Sequence, residues 1–292
     1  MTPQVAILEP IPDHARHLFF DLKAAGDPRA ALQALAAACD GQSVVMGIGA
    51  GVVETLGADV AGLRGFPVLP HAQPAIPATQ HALWLWLRGS APGDLLLQGH
   101  ALEGLAAPAF SRVQAIDSFR HRDSRDLTGY EDGTENPRDA AAVDAAIVRA
   151  EEPGIDGSSF AAVQQWLHDF QAFEAMPRAA QDNCFGRRRD DNEELDDAPA
   201  SAHVKRTAQE DFEPEAFVVR RSMPWVAGVD AGLVFLAFGK SFDAFEAQLR
   251  RMTGHDDGIS DALFSFTRPI TGGYYWCPPG GAAGIDLRAL GL

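Results

Sequence analysis

The stretch RDLTGYEDGTENP, residues 125–137, decides how this chain is read. Gly129, Gly133 and Pro137 bound a turn, so Asp132 and Glu135 do not merge into a regular helix face. A lone Asp-Gly turn is usually a surface loop. Two later stretches make this one informative: SAHVKR at residues 201–206 and FVVRRSMP at residues 217–224. The three together set a carboxylate loop, a histidine beside cations and an arginine in an apolar strand in one chain.

Around these stretches the chain reads as two similar halves. The first opens with a short apolar strand at Val5–Leu8. An amphipathic helix is predicted over His14–Ala25 from Leu18, Leu22 and Ala25. SVVMGIGAG (43–51) and HALWLWLRG (81–89) read as strands, the second with Trp84 and Trp86 on one face and Leu83, Leu85 and Leu87 on the other. DLLLQGHA (94–101) is a strand or the start of a helix. In the second half SFAAVQQWLHDF (159–170) begins as a strand, residues 176–195 read as an increasingly charged helix, and GLVFLAFG (232–239) is a buried strand. SFDAFEAQLRRMTG (241–254) is a marked helix: Ser241 is placed to cap it, Phe242, Phe245, Leu249 and Met252 share a face, and Gly254 ends it. DALFSFTRP (261–269) closes the pattern as a strand or turn. Regular βαβ spacing and a dinucleotide glycine fingerprint are both missing. The fold class expected is α+β, with two units of antiparallel sheet covered by helices and a boundary near residues 120–140.

The chain has 292 residues, of which 46% are hydrophobic, enough for one large core or two smaller ones. Its net charge of −16 repels phosphate, which argues against a nucleic-acid partner. It also suits cationic or neutral aromatic substrates. Three cysteines with no CxxC pair argue against a disulfide framework or a structural zinc site and point to a reducing compartment. No signal peptide is legible at the N-terminus and no apolar run suffices for a membrane helix, so a cytoplasmic location without membrane contact is expected.

The residue types define a chemistry. His203 lies between the small residues Ala198–Ala202 and the cations Lys205 and Arg206. Small residues let a flat macrocycle approach the backbone, and a neutral imidazole supplies an axial bond to iron. A carboxylate on its other ring nitrogen would strengthen that bond, but the sequence does not name it. Cleaving peroxide needs a group to move a proton and another to stabilise developing negative charge. An ionised Asp132 does the first, and Arg220 keeps it ionised and does the second. Strand alternation sends Arg220 and Arg221 to opposite faces, one into a site and one outward. Arg187, Arg188 and Arg189 suit either carboxylate recognition or a solvated helix end. Trp225, Tyr274, Tyr275 and Trp276 suit either electron relay or, by default, packing.

In this order the three stretches resemble the dye-decolorizing peroxidase family, most closely its shorter bacterial B type, over most of the chain. The resemblance implies two ferredoxin-like units, an N-terminal one over residues 1–130 and a C-terminal, haem-binding one over 131–292. It implies haem b with His203 as the iron ligand, Asp132 as the acid–base residue and Arg220 as the charge stabiliser. Arg187 resembles the family's propionate-binding arginine, with Gly133, Thr134 and Glu135 lining the cofactor. Ser222 stands where relatives often carry asparagine, which alters water organisation beside Asp132 and Arg220. Glu135 and Glu215 resemble positions implicated in manganese binding in some members. The implied activity is reduction of H2O2 through an oxoferryl intermediate with oxidation of dyes, phenols and similar small aromatic reductants. Dye turnover is expected to peak on the acid side, because a carboxylate base stays ionised where a histidine would be charged. The family often associates, so a homo-oligomer is expected. The same pocket without turnover would serve a haem carrier, sensor or iron-release protein, which needs His203 and the propionate arginine but not the Asp132–Arg220 pair. A haem-free binding protein would use the Asp-Gly loop as a surface turn.

Overall fold

A computed structural model describes residues 2–69, 72, 74–281 and 284–292. Among these, ten strands form one antiparallel sheet: β1 (His14–Leu22), β2 (Val44–Ile48), β3 (Leu83–Gly89), β4 (Phe110–Phe119), β5 (Ser159–His168), β6 (Val219–Arg220), β7 (Met223–Ala227), β8 (Asp230–Gly239), β9 (Thr267–Pro269) and β10 (Gly273–Cys277). The strand order β8–β7–β4–β1–β3–β2–β10–β5 returns to β8, which closes an eight-strand ring. β6 extends the β7 edge of β8, and β9 extends the β10 edge of β5. The halves keep their own pairings, β4–β1–β3–β2 and β7–β8–β5–β10. They meet through Ser118 opposite Trp225 and Ile48 opposite Trp276.

Alternation along the strands sorts the core into two layers. Trp84, Trp86, Val45, Phe238 and Tyr275 belong to one buried cluster, which the closed ring brings together. Leu83, Leu85 and Leu87 face the other way and pack with Leu32 and Leu35 of α1 (Pro28–Ala38). Leu95 and Leu102 of α3 (Pro92–Ala106), which follows the short α2 (Ala50–Thr55), join the same layer. The second half adds α4 (Asp139–Ala146), α5 (Phe170–Ala175), α6 (Arg178–Phe185), the single turn α7 (His203–Arg206) and α8 (Asp243–Met252). Phe245, Leu249 and Met252 of α8 are buried, as their spacing predicts, and the Ser241 hydroxyl accepts a hydrogen bond from Asp243 N at 3.2 Å. No helix among the described residues is long and apolar enough to cross a membrane.

Three local expectations are corrected. Residues 14–22 form a strand, not a helix. Ala15, His17, Leu18, Phe19 and Phe20 are all buried, so both faces of β1 are covered and the period-2 signal is lost. The Val5–Ile7 segment is a 3₁₀ turn rather than a strand. The charged helix predicted to residue 195 ends at Phe185, because Gly186 adopts a left-handed conformation (φ 80°). The helical alternative holds for DLLLQGHA, which lies inside α3.

The β5–β8 pairing demands a close approach at Gly232, where a Cβ would sit 2.0 Å from the Trp166 carbonyl oxygen of β5. Gly232→Ala is therefore expected to destabilise the fold by about 1–3 kcal/mol or more, read from a lowered urea midpoint at unchanged m-value.

Candidate active site

Two adjoining cavities open on the face of β5 and β8 that looks toward α7 and α8. The inner one, about 910 Å³ including its mouth, is walled by Trp166, Phe185, Leu233, Phe235, Phe245 and Leu249. The outer one, about 1000 Å³ on the same basis, is polar and is lined by Gly133, Thr134, Glu135, Arg187, Asn192 and Lys205. Asp132, His203 and Arg220 border both. A third cavity, lined by Ser124, Arg138, Arg221 and Ser222, also reaches Asp132 and Arg220. The carboxylate and the arginine thus stand where three cavities meet.

The loop that carries Asp132 is built by its own sequence. Arg125 Nη1 donates to the carbonyls of Gly129 and Arg189, both at 2.9 Å, and its Nη2 binds Glu131. Tyr130 stacks on Phe185 with ring centroids 3.8 Å apart, and its hydroxyl donates to Asp182. Gly133 turns the chain at φ 79°, and a Cβ there would crowd Asn136 Nδ2 at 2.8 Å. Asn136 then accepts from Arg220 N at 2.7 Å and donates to Arg220 O at 3.1 Å. One side-chain amide therefore ties the carboxylate loop to the arginine strand.

Asp132 keeps partial exposure through the cavities it lines, yet burial pushes its carboxyl above the usual range. Arg220 and His203 pull it down, Asp126 pushes it further up, and the net direction is upward. Arg220 makes no salt bridge within 4.0 Å among the described residues, and its buried Nε has no partner. β6 and β7 hold one register on β8, with Arg220 opposite Ala237 and Met223 opposite Val234. Arg221 does not point outward as expected. It is buried, with Nη2 on the Leu8 carbonyl at 2.8 Å and Nη1 on the Arg220 carbonyl at 2.9 Å. Ser222 is buried too, lines only the third cavity of the three, and accepts from Leu236 N at 3.3 Å.

His203 opens α7, and its Nδ1 lies 2.7 Å from Asp261 Oδ2. Asp261 is fully buried and its other oxygen caps the next turn through Leu263 N at 2.9 Å. The carboxylate that the sequence left unnamed is therefore Asp261. Its partnership fixes the ring and leaves Nε2 without a protein partner among the described residues. Gly186 allows the approach of this region to α6, since a Cβ there would lie 2.4 Å from Val204 Cγ2. Arg187, next in the chain, pairs with Glu135 at 2.7 Å and Glu194 at 3.1 Å on the polar cavity wall. Thr134 accepts from Asn192 Nδ2 at 2.9 Å. Arg188 pairs with Asp191 and Glu193 away from the cavities, and Glu215 is exposed. Among the described residues no three His, Cys, Asp or Glu side chains form a ready metal cluster.

A second histidine–carboxylate pair lines the inner cavity. His168 Nε2 lies 3.0 Å from Asp126, and its Nδ1 lies 2.7 Å from Thr267 Oγ1. Burial pushes the Asp126 carboxyl up, but hydrogen bonds from His168 and Thr128 outweigh it and hold it below the usual range. Asp126 and Asn136 both lie in the opening stretch, but only their partners 42 and 84 residues away reveal what they do.

This fold and site define a family of peroxidases. The profile described as "Dyp-type peroxidase, C-terminal" matches residues 123–282, which span the carboxylate loop, the histidine and the arginine strand. The dye-decolorizing peroxidase of Mycolicibacterium paratuberculosis is 32% identical over 81% of this chain and 69% of its own length. That of Mycobacterium tuberculosis is 31% identical over 81% and 73%. DypB from Rhodococcus jostii RHA1 superposes with a TM-score of 0.86 at 27% identity, covering 95% of this chain and 96% of DypB. A DypB variant solved in complex with heme gives a TM-score of 0.83 at 26% identity over 94% and 95%. The chain belongs to the Dyp-type peroxidase family, and it is a peroxidase.

Asn136→Ala removes both hydrogen bonds to Arg220 and leaves a backbone N–H and C=O to find other partners. The expected cost is about 1–3 kcal/mol, measured by denaturant unfolding.

Proposed function

We propose that this enzyme binds haem b in the paired cavities, with His203 Nε2 as the iron ligand and Asp132 with Arg220 as the peroxide-handling pair. The observation that carries the reading is the His203–Asp261 hydrogen bond, which aims a partner-free imidazole nitrogen into a cavity that the Asp132–Arg220 pair also borders. The donor set fits the group. Aromatic and aliphatic walls suit a macrocycle, and the polar outer cavity with Arg187 and Lys205 suits its carboxylate edge. Gly133, Thr134 and Glu135 line that edge. The heme complex of a Rhodococcus relative with the same fold supports the choice.

When bound, haem supplies the iron at which peroxide is cleaved and through which two electrons pass from the donor. The chain supplies the proton chemistry. A carboxylate oxygen of Asp132 takes a proton from one peroxide oxygen and gives it to the other, which leaves as water. Arg220 holds the ionised form of Asp132 and stabilises negative charge as the O–O bond parts. Ser222 acts from behind, by fixing the arginine strand to Leu236. Two electrons from two donor molecules, with two protons, complete the reduction of H2O2 to two waters. Donors too large for the cavities react at the outer mouth. A carrier or sensor would have no use for the Asp132–Arg220 pair at the cavity junction.

Read around the ring, the order β4–β1–β3–β2 is followed by the equivalent order β10–β5–β8–β7, which supports two ferredoxin-like units, split at residues 130/131. Cys39, Cys184 and Cys277 are free and buried, which supports a reducing, cytoplasmic setting. Leu96, Leu97 and Leu105 stand exposed on α3 and support a homo-oligomer. The net charge of −16 still opposes nucleic acid.

The raised proton affinity of Asp132 sets two signs. As a base it works only when ionised, so peroxide activation should fall off toward acid at a pH above the ordinary carboxylate value of about 3.9. A group whose folded-state pKa is raised stabilises the fold below its unfolded pKa, and that contribution is lost as pH rises through the folded value. Asp132→Asn should therefore be more stable than the parent at neutral pH, with the difference shrinking as pH falls through the folded pKa and gone below the unfolded one. The same substitution should slow the reaction with H2O2 by about 100- to 10,000-fold with haem retained, as read by stopped-flow absorbance. His203→Ala should lose haem on gel filtration, and Asp261→Asn should weaken haem affinity about 10- to 100-fold. Full peroxide reactivity in Asp132→Asn and Arg220→Ala together would remove the assignment.

A further inference from the structure

The third cavity contains an electrostatic imbalance that peroxide chemistry does not explain. It is lined by Arg138, Arg220 and Arg221, opposed by Asp132 and by Asp139, which is exposed at the rim. Arg221 is 9% exposed, yet no carboxylate lies within 4.0 Å of it among the described residues. Its Nη atoms reach only the carbonyls of Leu8 and Arg220, and its Nε has no partner. A buried guanidinium without a counter-ion is costly, and carbonyl oxygens compensate only part of that cost. Burial and the neighbouring Arg88 lower its pKa to about 10, so it remains charged at neutral pH.

A second feature points the same way. Helix α4 begins at this cavity, with Pro137, Arg138, Asp139 and Ala142 on the wall. Its N-cap residue, Arg138, makes no side-chain capping bond, so the first N–H groups of the helix lack a cap from that side chain, although Asp139 in the first turn partly offsets the dipole. Ser124 and Ser222 add hydroxyls to the same wall.

We propose that this cavity is a binding site for a small monovalent inorganic anion, of the halide class, held between Arg138, Arg221 and the start of α4. The two carboxylates on the wall oppose multiply charged anions and leave a single negative charge as the complement. The cavity shares Asp132, Gly133 and Arg220 with the outer cavity, but Arg138 and Arg221 line neither of the other two, so the site does not depend on the haem assignment.

The test uses the haem-loaded enzyme. Crystals soaked in a bromide concentration series should show an anomalous peak in this cavity. In solution, chloride-35 linewidth should show excess broadening that bromide competes away. Arg221→Gln and Arg138→Gln should each weaken binding by roughly fivefold, the worth of one solvent-screened charge at contact distance. Arg138 is exposed, so its variant keeps the test clear of folding effects. A bromide peak only elsewhere on the surface, or chloride broadening unchanged in the Arg138 variant, would overturn the proposal.

Discussion

The pairing of β5 with β8 is the constraint on which the rest of the structure depends. It runs from Phe160 opposite Gly239 to Leu167 opposite Gly232 and forms the centre of the second half, whose edge strands β7 and β10 meet the first half to close the ring. One face of this pair completes the aromatic layer of Trp84, Trp86 and Phe238. The other face provides Trp166, Leu233 and Phe235 as the floor of the inner cavity. At the Gly239 end, β8 holds β6, and β6 carries Arg220. The arginine is positioned by its pairing on β8 and not by its own loop. The carboxylate loop, which has little regular structure, is then fastened to that strand by Asn136. The fastening is local, but the frame it fastens to is global.

Much of this is legible in the chain, and the failures have physical causes. Strands with one side chain type per face, such as LWLWL, can be read directly, because Trp84 and Trp86 enter one layer while their leucine neighbours enter the other. β1 cannot be read this way: Leu18, Phe19 and Phe20 are consecutive and all buried, since the strand is covered on both faces. The last long-range strand, β10, hides in GYYWC, where aromatic bulk resembles simple packing. The site shows the same division. Asp132, His203 and Arg220 announce themselves by residue type within short motifs. Asp261 and His168 do not, because their meaning lies in partners 58 and 42 residues away. A carboxylate that orients a histidine across such a span leaves no local pattern.

The electrostatics of the site run against stability. Asp132 is surrounded closely enough that its charged form is disfavoured, and among the described residues Arg220 Nε has no partner and Arg221 is buried with no carboxylate beside it. Sites of this kind depart from the rule that buried polar groups are paired. The departure is not confined to the site: among the described residues Trp86 Nε1 and Trp276 Nε1 of the core are also buried without a partner. The loop around Asp132, by contrast, is dense with ordinary pairs such as Arg125 with Glu131. A rigid frame tolerates a few groups held away from their preferred state.

The junction of three cavities at one carboxylate and one arginine has an evolutionary consequence. The inner and outer openings share Tyr130, Glu131, Phe185, His203 and Thr207 besides the central pair, but each of the three also has wall residues of its own. Lys205 and Glu194 line the outer cavity alone, and Arg138 the third alone. The openings can thus diverge on separate residues. A lineage built on this frame can reshape one opening a side chain at a time while Asp132 and Arg220 stay fixed.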